Sequence, residues 1–177
     1  MTTLTFDELT IRAGHLGGES SLPSILPVLN VQTEKSARLD EDDEIFFDIG
    51  KIRSIFPYNQ QDLYDRALDP QSFRTAVLEN DFLRAVFLPE LGGRLWSLFD
   101  KKAGRELLYV NDVVRYCNLA LRNAWISGGV EFNWPYHHRA SGFMPCDFST
   151  EQLPDGSVVC WLSEHEPTDR MKSLVGI

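Results

Sequence analysis

The sequence predicts a mainly β protein, an antiparallel β-sandwich. Two short-turn hairpins, an alternating run between them, and the lack of any fifteen-residue window with a convincing amphipathic helix point to this class. The first hairpin is FRTAVLEN and FLRAVFLPE, two apolar runs with β-branched and aromatic residues on either side of Asn80–Asp81. The second joins MPCDFSTEQL to SVVCWLSEHE through Pro154–Asp155–Gly156, where proline presets a turn and glycine tolerates positive φ.

The elements follow in chain order. Leu4–Ile11, Ile25–Val31 and Ile45–Ile49 are strand-like. A Gly/Ser/Pro loop, GHLGGESSLPS, and an acidic run, EKSARLDEDDE, separate them, so residues 1–50 are expected to be less regular. FPYNQQDLYDRALDP reads as a long loop or a short helical turn. After the first hairpin, Gly92–Gly93 interrupts the strand, RLWSLF alternates, DKKAGRE forms a polar turn, and ELLYV begins another strand. NDVVRYCNLALRNAW is the nearest thing to a helix, but its β-branched residues and asparagines weaken that reading. In SVVCWLSEHE both alternating faces start apolar, which predicts a strand covered on two sides.

At 177 residues the chain suits one domain with a sizeable core, and 43% hydrophobic with 24% charged residues is ordinary for a globular protein. The net charge of -9 repels phosphate backbones and anionic lipid, which disfavours nucleic acid and membrane surfaces as partners. Lys101, Lys102, Arg105 and Arg115 form no basic stripe. No apolar run approaches the ~18 residues that span a bilayer, and MTTLTFDELTIRAGHL lacks the basic start of a secretory signal. Cys117, Cys146 and Cys160 are odd in number and show no CxxC spacing, which fits reduced thiols in a cytoplasmic protein rather than a disulfide or metal framework. No cofactor is implied. The apolar ending SLVGI suggests a fragment of a longer protein, or an edge that pairs with another copy.

Chemistry concentrates in WISGGVEFNWPYHHR, residues 125–139. Trp125, Trp134 and Tyr136 offer flat faces on which the C–H faces of a sugar ring can stack. Glu131, Asn133, His137, His138 and Arg139 supply the donors and acceptors that hydroxyls need. Gly128–Gly129 permit a sharp turn or a close approach to a ligand. Each residue also has a plainer role, since tryptophans are often core and Glu131 could face solvent. Adjacent histidines on a strand point to opposite faces, so only one enters a site and a shared metal ion is not expected. LPELGGRLWSLF forms a second constellation. Arg94 either reaches substrate hydroxyls or pairs with Glu90 at the surface, and Gly92–Gly93 is either a close approach or a β-bulge.

Over roughly residues 52–177 the ordered segments LENDFLRAVFLPELGGRLWSLFDKKAGRELLY, WISGGVEFNWPYHH and PDGSVVCWLSEHEPTDRM resemble the DUF5107 family, as does IFPYN at 55–59. More distantly, GGR after a strand and GG-x-E-F before a histidine resemble the galactose mutarotase-like superfamily of aldose epimerases and glycosidase domains. That resemblance implies a β-supersandwich with a sugar across a concave groove. It implies His137 or His138 as a general acid on the ring oxygen, with Glu131, Asn133 and Arg94 shaping the site. The superfamily's late glutamate, the general base, would lie beyond residue 177, so this chain alone is expected to be inactive. A glycosidase would need a carboxylate pair, and beside Glu131 only Asp147 and Glu164 offer themselves. DUF5107 proteins often continue into helical repeats, which would be a partner region in the same protein. The function expected is therefore a carbohydrate-binding domain of an epimerase-like or glycosidase-associated protein. The alternatives are a non-catalytic carbohydrate-binding module and a structural or protein-interaction domain.

Overall fold

A computed structural model describes residues 2–19, 58–59, 61, 63–117, 126–133, 141–166 and 171–177. Within these, the protein is a β-sandwich of two sheets. Strands β1 (Thr3–Ala13), β2 (Asp69–Glu79), β3 (Leu83–Leu88), β4 (Arg94–Asp100), β5 (Arg105–Glu106) and β6 (Val113–Val114) form one sheet in the order β5-β4-β3-β2-β1-β6. Strands β7 (Asp147–Gln152), β8 (Val158–Glu166) and β9 (Met171–Gly176) form an antiparallel meander. Every pairing in the larger sheet is antiparallel except β1 with β6. The proposed strands at 25–31 and 45–49 lie outside the described residues.

Both expected hairpins form. Asn80 closes the β2–β3 turn by accepting the backbone N–H groups of Phe82 and Leu83 through Oδ1. Lys101 reinforces it, donating to the Asn80 carbonyl at 2.6 Å while pairing with Glu79. In the β7–β8 turn Asp155 accepts from the Ser157 backbone and hydroxyl, and Gly156 takes φ 85°. The β4–β5 turn ends on Gly104 at φ 64°.

Strand alternation sorts the larger sheet into two faces. One carries Leu4, Ala76, Leu78, Ala85, Phe87 and Leu95, which pack on Cys160, Leu162, Phe132 and Phe148. Phe6 meets Phe148 at a 5.2 Å centroid separation and Phe87 meets Phe132 at 6.5 Å, so aromatic pairs fasten the layers. Burial pushes the Cys160 thiol pKa up, which keeps this wholly enclosed side chain a neutral apolar filler. The opposite face carries Leu9, Ile11, Phe73 and Leu88 into a second cluster built around Trp96, Val114, Ile126 and Phe143.

Three expectations change. ELLYV does not continue as a strand: β5 ends at Glu106, and Leu107 and Tyr109 are exposed. One further backbone bond, from Leu107 N–H to the Leu98 carbonyl at 2.8 Å, follows the two paired residues. β8 is buried on one side rather than two. Cys160, Leu162 and Glu166 face the larger sheet, whereas Trp161 and Ser163 are half-buried and His165 is exposed. The bulge lies not at Gly92–Gly93 but two residues on, where the register shifts so that Val86 faces Ser97 and Phe87 faces Leu95, leaving Trp96 as the extra residue.

The double glycine instead ends a 3₁₀ turn, Pro89–Leu91, with both residues in the left-handed region. A Cβ on Gly92 would lie 2.5 Å from the Gly142 carbonyl oxygen, so backbone fills the space a side chain would need. Gly129 is equally confined, at φ 68° with the Leu95 carbonyl 2.4 Å from a Cβ. Gly129→Ala should therefore cost roughly 2–3 kcal/mol, from left-handed strain plus displaced backbone. Gly104→Ala, at similar φ but with open space around it, should cost about 1 kcal/mol. Urea denaturation of the two variants side by side measures the difference.

Candidate functional site

A short extra edge beside β4 builds the site. Leu95 and Val130 exchange two backbone hydrogen bonds, at 3.1 and 2.8 Å, forming an isolated antiparallel bridge. That register sets the neighbouring residues, Arg94 and Glu131, opposite one another. Their side chains meet accordingly, with Arg94 Nη2 3.6 Å from Glu131 Oε2. Arg94 Nη1 also donates to the Gly128 carbonyl at 2.8 Å. The side chains are 5% and 13% exposed, so the pair is largely desolvated. The surface alternatives fail for Arg94: Glu90 instead accepts the backbone N–H of Arg74, and Glu131 faces the guanidinium rather than open solvent.

Gly128–Gly129 make this approach possible. A Cβ on Gly128 would lie 2.9 Å from the Trp96 ring and 3.2 Å from Asn111 Cβ. The close approach anticipated at these glycines is made to the protein's own indole and backbone.

Trp96 and Asn111 in turn line an open groove of about 500 Å³. Its floor is the second face of the larger sheet, with Leu9, Ile11, Thr75 and Val86. Polar side chains edge it: Asp7, Ser97, Glu106, Asn111 and Asp112. Ser97 donates to Glu106 Oε1 at 2.7 Å and so fixes that carboxylate. Asn111 is braced too, since its Nδ2 donates to the Ser127 carbonyl and its Oδ1 accepts from Val113 N–H. The volume falls within the range of roughly 300–1,000 Å³ typical of small-molecule sites. Arg94 and Glu131 do not line it, but Gly128, whose carbonyl Arg94 holds, packs on the groove residues Trp96 and Asn111.

Of the residues expected in the site, the structure brings Arg94 and Glu131 together and leaves Asn133 exposed nearby. Trp125, Trp134, Tyr136, His137, His138 and Arg139 lie outside the described residues. Trp96, the tryptophan that does reach the groove, is 2% exposed and forms its floor rather than a stacking platform.

Sequence reasoning missed a second polar cluster beside the smaller sheet. The Tyr58 hydroxyl lies 3.3 Å from Oε1 of both Glu164 and Glu166, and Ser141 donates to Glu164 Oε2 at 2.6 Å. Burial, then the two carboxylates, raises the Tyr58 pKa well above its ordinary value, so the phenol stays protonated and able to donate. A cleft of about 270 Å³ opens here, lined also by Asp147 and His165. The available signal was that Glu164 and Glu166 continue the inward face of Cys160 and Leu162. Carboxylates at the end of a buried stripe need partners.

The chain belongs to the family described as "Domain of unknown function (DUF5107)", whose model matches residues 50–177. It is also similar to the crystal structure of a TPR-domain containing protein from Parabacteroides distasonis ATCC 8503. There the TM-score is 0.68 at 21% sequence identity, and the match covers 93% of this chain and 24% of the other. At that identity the likeness concerns the fold, and the chain spans about a quarter of that protein's length. Among the described residues, no helix is long and apolar enough to cross a membrane.

Proposed function

We propose that this is a carbohydrate-binding domain of galactose mutarotase-like architecture, and that the sugar lies in the groove on the second face of the larger sheet. The observation that carries the reading is the buried Arg94–Glu131 pair beside a 500 Å³ groove edged by carboxylates and an amide. Vicinal hydroxyls suit planar acceptors and amides held in fixed geometry, and Glu106 and Asn111 are so held. An apolar floor complements the C–H faces of a pyranose ring.

Arg94 and Glu131 shape the site by fixing the Gly128–Glu131 edge that packs on Trp96 and Asn111. In this reading Trp125, Trp134 and Tyr136, expected from the sequence as stacking faces, and Asn133, as a further amide, serve the same ligand. If the domain also turns over its sugar, His137 or His138 is the proton donor, as in the superfamily it resembles. In that case the protein is epimerase-like or glycosidase-associated. The TPR-domain containing relative supports a place beside helical repeats in a larger protein. Three free thiols support a reducing, cytoplasmic compartment.

Glycan-dependent stabilisation tests this. A ligand at about a hundred times its Kd should add about 2.7 kcal/mol to the unfolding free energy. Melting curves over mono- and oligosaccharides should find such a ligand, and Glu131→Gln should reduce its effect at least tenfold in apparent Kd. If no glycan shifts the curve, the reading is lost and a structural or protein-interaction domain takes its place.

A further inference from the structure

The groove's charge is unbalanced. Register places Asp7, Thr75, Arg84, Ser97 and Glu106 on the face that forms its floor, whereas Glu8 and Arg12 alternate to the opposite face. Asp112 joins Asp7 and Glu106 from the loop after β5. Arg84 is the cation among these groove-face side chains, and its Nε lies 3.7 Å from Glu79 Oε2, a carboxylate that it shares with Lys101. Arg12 Nε is turned to the Leu68 carbonyl, at 3.4 Å. Glu8 and Arg12 still line the groove as one acid and one base, and beyond them Asp7, Glu106 and Asp112 stand against Arg84, so carboxylates outnumber cations there.

We infer that the groove selects its ligand by charge, taking amine-bearing sugars in preference to neutral ones and rejecting uronates and sugar phosphates. This rests on the carbohydrate reading above and specifies its substrate class. An ammonium group replaces lost water contacts with charge-assisted hydrogen bonds to Asp7, Glu106 or Asp112. A carboxylate or phosphate in the same place meets the like charge of Asp7, Glu106 and Asp112, which outnumber the cations there, and like-charge juxtaposition is what makes such sites discriminate.

The test uses the purified protein at low salt and about pH 6, where a sugar amine carries its proton. Glucose, galactose and mannose are each compared with their 2-amino-2-deoxy and 6-carboxylate forms by calorimetric titration. The expected order in the binding series is amine, then neutral, then carboxylate, with about tenfold or more between the extremes. Raising the salt to about 1 M, where screening acts within ~3 Å, should compress that ratio. Asp7→Asn with Asp112→Asn, which spares the hydroxyl acceptor Glu106, should narrow the gap between the amine and carboxylate forms to a few-fold while the neutral sugar still binds. Equal or tighter binding of the carboxylate form overturns the inference and leaves the carbohydrate reading standing. Binding by none of the sugars overturns both.

Discussion

Arg94→Ala should lower the unfolding free energy by about 3–5 kcal/mol, because it takes away the cation that faces the Glu131 carboxylate in a largely desolvated position. The Gly128 carbonyl loses its side-chain donor as well, and the Gly128–Glu131 edge then depends on the Leu95–Val130 bridge. The cost is one of truncation, not a measure of the pair's net worth. Replacing both partners with apolar residues of similar volume, as in Arg94→Met with Glu131→Leu, should recover most of the loss. Urea denaturation followed by circular dichroism distinguishes the two. A single variant no weaker than the wild type would show that the pair is already hydrated. The double variant should fold and yet fail to bind sugar, which separates the structural role of the pair from its role in recognition.

Trp96→Ala should cost a comparable 3–5 kcal/mol. Trp96 is the largest fully buried side chain described and sits in the cluster with Phe73, Leu88 and Phe143. As the extra residue of the β4 bulge, its ring also supports Gly128 from below. Removing it opens a void that neighbours can fill only partly, since the bulge fixes the backbone. Trp96→Phe should cost much less. The alanine variant should also weaken sugar binding, because Trp96 itself lines the groove and its ring supports Gly128, which carries the Arg94 contact.

Turn chemistry and alternation made much of the fold legible. Asn80–Asp81, Gly104 and Pro154–Asp155–Gly156 mark three hairpins whose glycines and Asx side chains act as their types require. What local sequence did not carry was pairing between distant segments. The β1–β6 parallel contact, the Leu95–Val130 bridge and the shift of the bulge to Trp96 depend on which strands become neighbours. Arg94 illustrates the gap: by alternation alone it was as easily a surface partner of Glu90 as the cross-strand partner of a residue thirty-seven positions on. The glycine pairs were correctly marked as points of close approach, but only the folded chain shows that Trp96, Leu95 and Gly142 are what approaches. Tyr58 and Ser141 gave no local hint of a shared carboxylate cluster, since the chain between them is long and irregular in pattern.

The measurement closest to the central claim is a crystal structure of the protein with its tightest-binding sugar. The ligand should lie on the face of β1–β4 that carries Leu9, Ile11 and Val86, with hydroxyl or amine groups within hydrogen-bond distance of Glu106 and Asn111. A sugar seated instead on the outer face of the smaller sheet, against the half-buried Trp161, would contradict the assignment of the groove as the binding site.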